Sequence, residues 1–309
     1  MSMQHTPISD SVLSPVCLTV AGSDCSGGAG IQADLKTFAS LGVYGASAIT
    51  AITVQNTQGV QGVEPISSET VSAQMQAVLA DSNVQAIKTG MLCDRETVLA
   101  VAEVLKDFSG KVVVDPVLVS SSEKRLLAEE AVETLRDVLL PCAELITPNI
   151  PEAYALLGES ESGESELNES EPGESQPESV TYSAEAMVEL ARRLQQRFDT
   201  AVLLKGGHQG TDILTDVLIE ANQETLFHHK KVMTRNTHGT GCTLSAAIAA
   251  RLCAGDALCD AVETAQGFLQ DALLAGTDYV VGKGSGPVDH FYHIPKAGHP
   301  AQMAEENVS

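Results

Sequence analysis

Basic residues and long apolar runs are both scarce in this chain of 309 residues. It carries 18 lysines and arginines against 41 aspartates and glutamates, which gives a formal net charge of -23. Such a charge repels phosphate backbones and anionic lipids, so nucleic acid and membrane partners are disfavoured. The longest uncharged apolar stretches, such as residues 43–54, are shorter than the roughly 20 residues that cross a bilayer. The polar N-terminal residues also lack the order of a signal peptide.

Paired cysteines are lacking as well. The seven cysteines are an odd number at scattered positions, and no two of them form a C-x-x-C pair. This pattern fits neither a disulfide framework nor a zinc site. We therefore expect a reduced protein in the cytoplasm.

Large apolar residues are nearly missing from one internal segment. Residues 159–179 hold eight glutamates and no basic residue, and Leu167 is their only large apolar side chain. Such a segment cannot bury enough surface to offset the entropy lost on ordering it, which predicts a disordered acidic insertion. We expect residues 1–14 and 296–309 to be unstructured tails. Residues 15–295 are expected to form a single domain around the insertion.

The rest of the chain alternates short apolar runs with helical patterns, as expected of βα units that feed a parallel sheet. Strands are predicted at 16–21, 46–54, 86–89, 111–115, 145–147 and 201–205. Helical spacing is clear where Ile31, Leu35 and Phe38 recur on one face. Residues 213–219 and 225–229 predict an antiparallel hairpin at the sheet edge, and 240–252 and 260–274 predict two closing helices. The sequence thus predicts an α/β fold with a mostly parallel sheet.

A glycine-rich loop follows the first predicted strand. Residues 22–30 read GSDCSGGAG and lead into a helix. The glycines let the backbone approach a ligand, and the helix N-terminus offers N–H groups to polar or anionic atoms. The spacing matches neither the G-x-G-x-x-G dinucleotide pattern nor the P-loop. Ligand contact and a plain tight turn both stay open for this loop.

A second glycine-containing turn, residues 234–245, reads TRNTHGTGCTLS and precedes a helix of small residues. It places several N–H groups at a helix N-terminus, an arrangement that stabilises a phosphoryl group during transfer. Cys242 lies at this positive end, where the local field lowers the pKa of a thiol. The sequence therefore predicts a base or nucleophile at Cys242. The alternative is a buried cysteine in a structural turn.

Polar residues also follow several of the later predicted strands. Lys205 precedes two glycines and can reach a phosphate, although a solvated surface lysine is the alternative. Asn149 and Glu152 lie three residues apart at a helix start, where a carboxylate and an amide oxygen suit Mg²⁺ through its waters. The alternative is that Asn149 caps the helix and Glu152 completes a capping box. Asp115 ends a strand at the same sheet edge and is a further candidate for placing the metal.

Two more side chains follow strand ends on the other half of the sheet. Gln55 offers an amide that can pair with the donor–acceptor edge of a heteroaromatic ring. Met91 can pack on the face of such a ring. Each of them, taken alone, is equally compatible with a structural role.

Seven stretches occur in an order and spacing that resemble one enzyme family. They are AGSDCSGGAGIQADLKTFASLGVYG, AITVQNTQGV, IKTGML, VVVDPV, ITPNIPEA, LLKGGH and NTHGTGCTLSAAIAA. Over residues 16–293, apart from the insertion, the chain resembles the hydroxymethylpyrimidine/phosphomethylpyrimidine kinases of thiamine biosynthesis, in the ribokinase-like superfamily. The resemblance implies a three-layer α/β/α sandwich, a homodimer, and two ATP-dependent phosphorylations with Mg²⁺. These convert 4-amino-5-hydroxymethyl-2-methylpyrimidine to its monophosphate and then to its diphosphate.

The resemblance also implies roles for the residues that match its motifs. Gln55 recognises the pyrimidine, and the residues placed around the same substrate are Gly22, Asp24 and Met91. Cys242 occupies the position of the proposed catalytic base, and the anion hole is supplied by Gly239, Thr240 and Gly241. Lys205 and Thr237 contact the nucleotide. Asn149 and Glu152 organise Mg²⁺, with Asp115 expected beside them.

Two features depart from the family pattern. Cys25 replaces the usual proline after the first-motif aspartate, and residues 118–127 replace the usual lysine–serine–glycine run of the flap. Lid closure is therefore expected to differ. Two alternatives stay open. A pyridoxal-type kinase is disfavoured modestly by Gln55, and a catalytically silent binding protein is disfavoured by Lys205 and the intact HGTGC turn.

Overall fold

The computed structural model describes residues 14–118, 127–159, 182–207, 212–221 and 223–294. Almost all of the predicted insertion and of both predicted tails lies outside the described residues, as do flap residues 119–126 and His208. The expectations for disorder, for flap behaviour and for a single domain therefore stay predictions.

A single sheet of nine strands organises the described residues. The strands are β1 Val16–Asp24, β2 Tyr44–Asn56, β3 Gly59–Pro65, β4 Val84–Thr89, β5 Lys111–Val114, β6 Leu145–Ile146, β7 Ala201–Leu204, β8 Ile213–Glu220 and β9 Gln223–Lys230. Their order is β3-β2-β1-β4-β5-β6-β7-β8-β9. Strands β2, β1, β4, β5, β6 and β7 are parallel. Strands β8 and β9 form the predicted antiparallel hairpin at one edge, which confirms this part of the prediction.

Helices cover both faces of the sheet. They are α1 Gly30–Ser40, α2 Ser68–Asp81, α3 Arg95–Leu105, α4 Glu129–Thr134, α5 Ile150–Leu157, α6 Ala184–Phe198, α7 Thr240–Cys253 and α8 Leu258–Ala275. Met75, Val98 and Leu194 belong to the core on one face, and Phe38 and Ile248 to the core on the other. Because both faces are covered, the strands carry continuous apolar runs rather than alternating ones. The predicted three-layer α/β/α sandwich is confirmed.

Strand β3 and helix α2 are among the elements that were not predicted from the sequence. Strand β3 pairs antiparallel with β2 at the edge opposite the predicted hairpin. Gly62 and Pro65 interrupt its run, as edge strands tolerate, so it looks like a loop in the sequence. Helix α2 is capped by Ser67 but buries only Val71 and Met75, so its apolar stripe is too thin to stand out.

One strand boundary matters for the site. The sequence predicts that the first strand ends at residue 21, whereas β1 continues to Asp24 past an irregularity between Ala21 and Ser23. Asp24 pairs with Thr53 of β2, so its position is fixed by the sheet. No helix in the described part of the chain is long and apolar enough to cross a membrane.

Candidate active site

A charged cluster lies at the carboxyl ends of β5, β6 and β7, as the sequence predicts for this sheet edge. Asp115 follows β5 and is buried, and its Oδ1 accepts hydrogen bonds from Lys205 Nζ at 3.1 Å and Thr147 Oγ1 at 2.9 Å. Ser245 Oγ donates to Asp115 Oδ2 at 3.3 Å. Burial alone would raise the pKa of Asp115, but Lys205 and Lys88 outweigh it and hold that pKa below its ordinary value. Asp115 is therefore ionised at neutral pH.

Asn149 and Glu152 form the capping box that the sequence left open as an alternative. Asn149 Oδ1 accepts from the Glu152 backbone N–H, and Glu152 Oε2 accepts from the Asn149 backbone N–H, both at 2.8 Å. The same glutamate also belongs to the charged cluster. Burial, together with the nearby charge of Asp115, raises the pKa of Glu152 to about 7 against the opposing charge of Lys205. Capping and a role in the site are therefore compatible.

The metal prediction depends on this cluster. Over the described residues, no group of three or more histidine, cysteine, aspartate or glutamate side chains is arranged to hold a metal ion. Mg²⁺ keeps several waters and commonly uses only one or two carboxylates together with substrate phosphates, so such a group is not required. Glu152 and Asp115 are buried carboxylates, and Asp115 raises the pKa of Glu152, so a cation between them would stabilise the ionised form of Glu152. This donor set fits a hydrated Mg²⁺, and the assignment stays a prediction.

The second glycine turn forms the N-terminus of α7. Gly239 is the N-cap with φ of 83°, a left-handed conformation that favours glycine. A Cβ there would overlap the Gly28 carbonyl oxygen, so the second turn packs directly against the first glycine loop. The Thr240 N–H donates to the Thr237 carbonyl at 3.3 Å, whereas the N–H groups of Gly241 and Cys242 have no partners within the helix and can face an anion. A Cβ on Gly241 would lie 3.5 Å from Lys205 Nζ, so the charged cluster adjoins this turn.

The predicted low pKa of Cys242 is wrong. Cys242 is partly exposed as a residue, but its thiol is surrounded by protein, and this burial raises its pKa to about 11. Lys88 and the Gly30 backbone N–H lower the pKa only in part. A helix N-terminus contributes about 0.3–1 kcal/mol in exposed positions, which is less than the cost of burying a thiolate. Cys242 is thus a neutral thiol in the ligand-free protein.

The residues predicted to surround the substrate lie beside the turn. Gly22 and Met91 are adjacent, because a Cβ on Gly22 would clash with the Met91 methyl group. Asp24 is buried, and its Oδ2 accepts from the backbone N–H groups of Gly28 at 3.0 Å and Ala29 at 2.9 Å. Gln55 is half-buried near the end of β2. The first glycine loop is therefore organised around Asp24.

His238 joins these residues and was missed by sequence interpretation. Its Nε2 lies 2.9 Å from Asp24 Oδ2 and 3.0 Å from the Gln55 amide nitrogen. The ring packs where a Cβ on Gly28 would stand, so glycine is required there. Gln55 and His238 are 183 residues apart, so no local pattern indicates their contact. The one available signal is a titratable side chain directly before Gly239.

A buried ion pair underlies the turn and was also missed. Lys88 Nζ donates to both carboxylate oxygens of Asp34 at 3.0 and 2.9 Å, and Thr19 Oγ1 donates to the same carboxylate at 2.6 Å. Lys88 and Asp34 are fully buried. Burial acts to lower the pKa of Lys88, but Asp34, Cys242 and Asp115 outweigh it and raise the pKa well above its ordinary value. Lys88 thus supplies a fixed positive charge below the site.

Thr237 lies in the second glycine turn directly before His238, and its carbonyl accepts from the Thr240 N–H. It is exposed, and its Oγ1 lies 3.5 Å from Ser285 Oγ on the C-terminal segment. Its assignment to the nucleotide stays a prediction. The other predicted residues lie in or beside two adjoining groups: the charged cluster around Asp115, and the substrate-side group around Asp24 and Gln55.

Comparison with known proteins agrees with this arrangement. The family model described as phosphomethylpyrimidine kinase matches residues 24–173 and 175–289. A hydroxymethylpyrimidine/phosphomethylpyrimidine kinase of Rhizobium meliloti is 45% identical over 280 residues, which cover 91% of this chain and 98% of that protein.

Solved structures of both a phosphomethylpyrimidine kinase and a pyridoxal kinase share the fold of this chain. The phosphomethylpyrimidine kinase of Clostridium difficile superposes with a TM-score of 0.69 at 37% identity, covering 84% of this chain and 99% of that one. The ADP complex of Bacillus subtilis pyridoxal kinase gives a TM-score of 0.76 at 33% identity, covering 90% of this chain and 97% of that one. Given the extent of these matches, the chain belongs to the phosphomethylpyrimidine kinase family.

Proposed function

We propose that this kinase phosphorylates 4-amino-5-hydroxymethyl-2-methylpyrimidine to its monophosphate and the monophosphate to its diphosphate, with ATP as donor, in thiamine biosynthesis. One observation carries the proposal. His238, which contacts Gln55, directly precedes Gly239, the N-cap of α7. An aminopyrimidine paired with Gln55 would therefore have its hydroxymethyl group beside a helix N-terminus suited to phosphoryl transfer.

Gln55 selects the acceptor in this account. An amide presents a donor and an acceptor side by side, which complements an amino group next to a ring nitrogen. Gly22 leaves room for Met91 to lie close to β1, and Met91 packs on the face of the ring. Pyridoxal lacks an amino group beside its ring nitrogen, so Gln55 favours the pyrimidine.

The phosphoryl group is held by the turn and by Lys205. The free N–H groups at the start of α7 donate to the equatorial oxygens of the transferring group, where negative charge is spread in the transition state. Lys205 is 16% exposed and charged: burial lowers its pKa, but Asp115 and Glu152 outweigh this and raise it. It neutralises charge on the nucleotide phosphates while Asp115 holds its position. Glu152 and Asp115, with Asn149, would hold a hydrated Mg²⁺ that supplies further positive charge at the phosphates when bound.

Cys242 is placed to take the proton of the attacking alcohol. As a neutral thiol it must first release its own proton to solvent; Lys88 already favours this release in part, and a bound Mg²⁺ would add further positive charge. The second phosphorylation attacks with a phosphate oxygen that is already ionised near neutral pH. Cys242 should therefore matter more for the first step than for the second.

The proposal is tested with a panel of acceptors. The purified chain is incubated with ATP and Mg²⁺ and with hydroxymethylpyrimidine, its monophosphate or pyridoxal, and the products are separated as mono- and diphosphates. The proposal requires pyrimidine diphosphate from both pyrimidine acceptors. Phosphorylation of pyridoxal alone would assign the chain to vitamin B6 salvage, and no product would support a silent binding protein. Gln55→Leu, with a side chain of similar size, should raise KM for the pyrimidine and leave ATP binding unchanged.

Two further expectations belong to the proposal. We expect a homodimer, which sedimentation equilibrium would test against the mass of one chain. We also expect a cytoplasmic enzyme, which agrees with seven cysteines that are all free.

A further inference from the structure

One imidazole nitrogen lies within hydrogen-bond distance of two partners that require opposite protonation states of it. His238 Nε2 lies 2.9 Å from Asp24 Oδ2 and 3.0 Å from the terminal amide of Gln55. If Nε2 carries a proton, it can donate to the carboxylate but cannot accept from an amide N–H. If Nε2 is unprotonated, it can accept from the amide but then meets the carboxylate lone pairs. The state of this nitrogen therefore decides how Gln55 is oriented.

Asp24 resolves the conflict, because it is an ionised carboxylate that can only accept. Its Oδ1 accepts from the Ser26 N–H at 2.8 Å and Ser26 Oγ at 2.7 Å, and its Oδ2 accepts from Gly28 and Ala29. Burial acts to raise the pKa of Asp24, but the hydrogen bonds from His238, Ser26 and Ala29 outweigh it and hold the pKa well below its ordinary value. His238 Nε2 must therefore carry a proton, whether the ring is neutral or charged.

A half-turn of the imidazole would put Cε1 in the place of Nε2 and lose the contact with Asp24. The ring lies against Gly28, and the backbone N–H of His238 donates to the Gly286 carbonyl at 3.1 Å. The Nε2–H group then faces the terminal amide of Gln55, whose oxygen and nitrogen are similar in size, so packing alone does not distinguish its two orientations. A half-turn of this amide places Oε1 instead of Nε2 against the imidazole and turns a donor–donor conflict into a hydrogen bond.

We propose that His238 is a positioning residue that fixes the Gln55 amide with its oxygen toward the imidazole and its NH₂ group away from it. This inference rests on the proposed pairing of Gln55 with the pyrimidine. It adds that His238, through Gln55, decides which way round the substrate binds.

The direction of the amide has a defined consequence for the substrate. Around the pyrimidine ring the order is N3, then C4 with its amino group, then C5 with its hydroxymethyl group. The Gln55 oxygen accepts from the amino group, and its NH₂ donates to N3. Because the oxygen end lies beside His238, the hydroxymethyl group points to the His238 side. That side leads directly into Gly239 and the N-terminus of α7, where the phosphoryl group is transferred.

The test compares two acceptors that differ only at this edge. The 4-oxo analogue, 5-hydroxymethyl-2-methylpyrimidin-4(3H)-one, presents an acceptor at position 4 and an N–H at position 3, so it needs the opposite amide direction. The wild-type enzyme should prefer the amino acceptor in kcat/KM by about 10- to 100-fold or more. His238→Leu frees the amide to turn and should lower this ratio about tenfold or more. His238→Gln, which keeps an N–H for Asp24, should retain most of the ratio.

The ratio separates positioning from a structural role. If His238 only supports the fold, His238→Leu lowers kcat/KM for both acceptors equally, and an unchanged ratio overturns the inference. Long-range ¹H–¹⁵N NMR of the wild-type enzyme is a second test and needs no variant. We expect His238 Nε2 to be protonated, and an unprotonated Nε2 overturns the inference. If the wild-type enzyme phosphorylates neither pyrimidine, the proposed function fails instead, and the tautomer still decides the orientation of Gln55.

Discussion

Replacing Glu152 by glutamine is expected to stabilise the ligand-free enzyme increasingly as the pH rises. Burial raises the pKa of Glu152 from 4.5 to about 7. Because the folded protein holds this proton more tightly than the unfolded chain, the contribution of Glu152 to stability is fully present below about pH 4.5 and is lost as the pH rises through about 7. The interval between the two pKa values corresponds to about 3 kcal/mol. Glutamine has no proton to lose, so its variant escapes this loss.

Glutamine is a suitable probe because its oxygen can still accept from the Asn149 N–H and keep the capping box. Urea unfolding of both proteins between about pH 5 and pH 8, without nucleotide or metal, should give free energies that diverge by up to about 3 kcal/mol at the higher pH. Glu152→Ala is the control, because it loses both the charge and the cap and should be less stable than Glu152→Gln by about 1 kcal/mol at every pH. Parallel curves for wild type and Glu152→Gln would refute the raised pKa.

Three further predictions concern single residues. Cys242→Ala should slow the first phosphorylation more than the second in single-turnover assays, and equal losses would favour a packing role. Lys88→Met leaves Asp34 buried without its counter-charge and should lower the free energy of unfolding by about 3–5 kcal/mol; a loss below about 1 kcal/mol in urea would contradict this. Gly28→Ala displaces His238 and should raise KM for the pyrimidine while ATP affinity, measured by calorimetry, stays unchanged; an unchanged KM would count against the contact.

The sequence predicts the layout of the site better than its internal contacts. Parallel strands end at one edge of the sheet, so Asp115, Asn149 and Lys205 could be placed together before their side chains were seen. The α/β pattern itself follows from apolar runs that are buried on both faces. What these rules cannot supply is contact between distant segments, such as Gln55 with His238.

The raised pKa of Cys242 and the buried Lys88–Asp34 pair were not predicted from the sequence for the same reason. The low pKa expected for Cys242 relied on the helix N-terminus, a local feature that sequence reveals. Burial of the thiol depends on the packing of segments distant in sequence, such as Gly30, whose backbone N–H hydrogen-bonds to it. Sequence does not reveal this packing, and the effect of burial on the pKa dominates. The Lys88–Asp34 pair is likewise invisible, because lysine within a strand motif is ordinarily interpreted as a surface residue.

The most direct test of the account is a crystal structure of the full chain with 4-amino-5-hydroxymethyl-2-methylpyrimidine. The account predicts the amino group and N3 of the ring paired with the Gln55 amide, and the hydroxymethyl oxygen beside the turn from Gly239 to Cys242. A ring bound at Gln55 with its hydroxymethyl group pointing away from this turn, or a ring bound elsewhere, would contradict it.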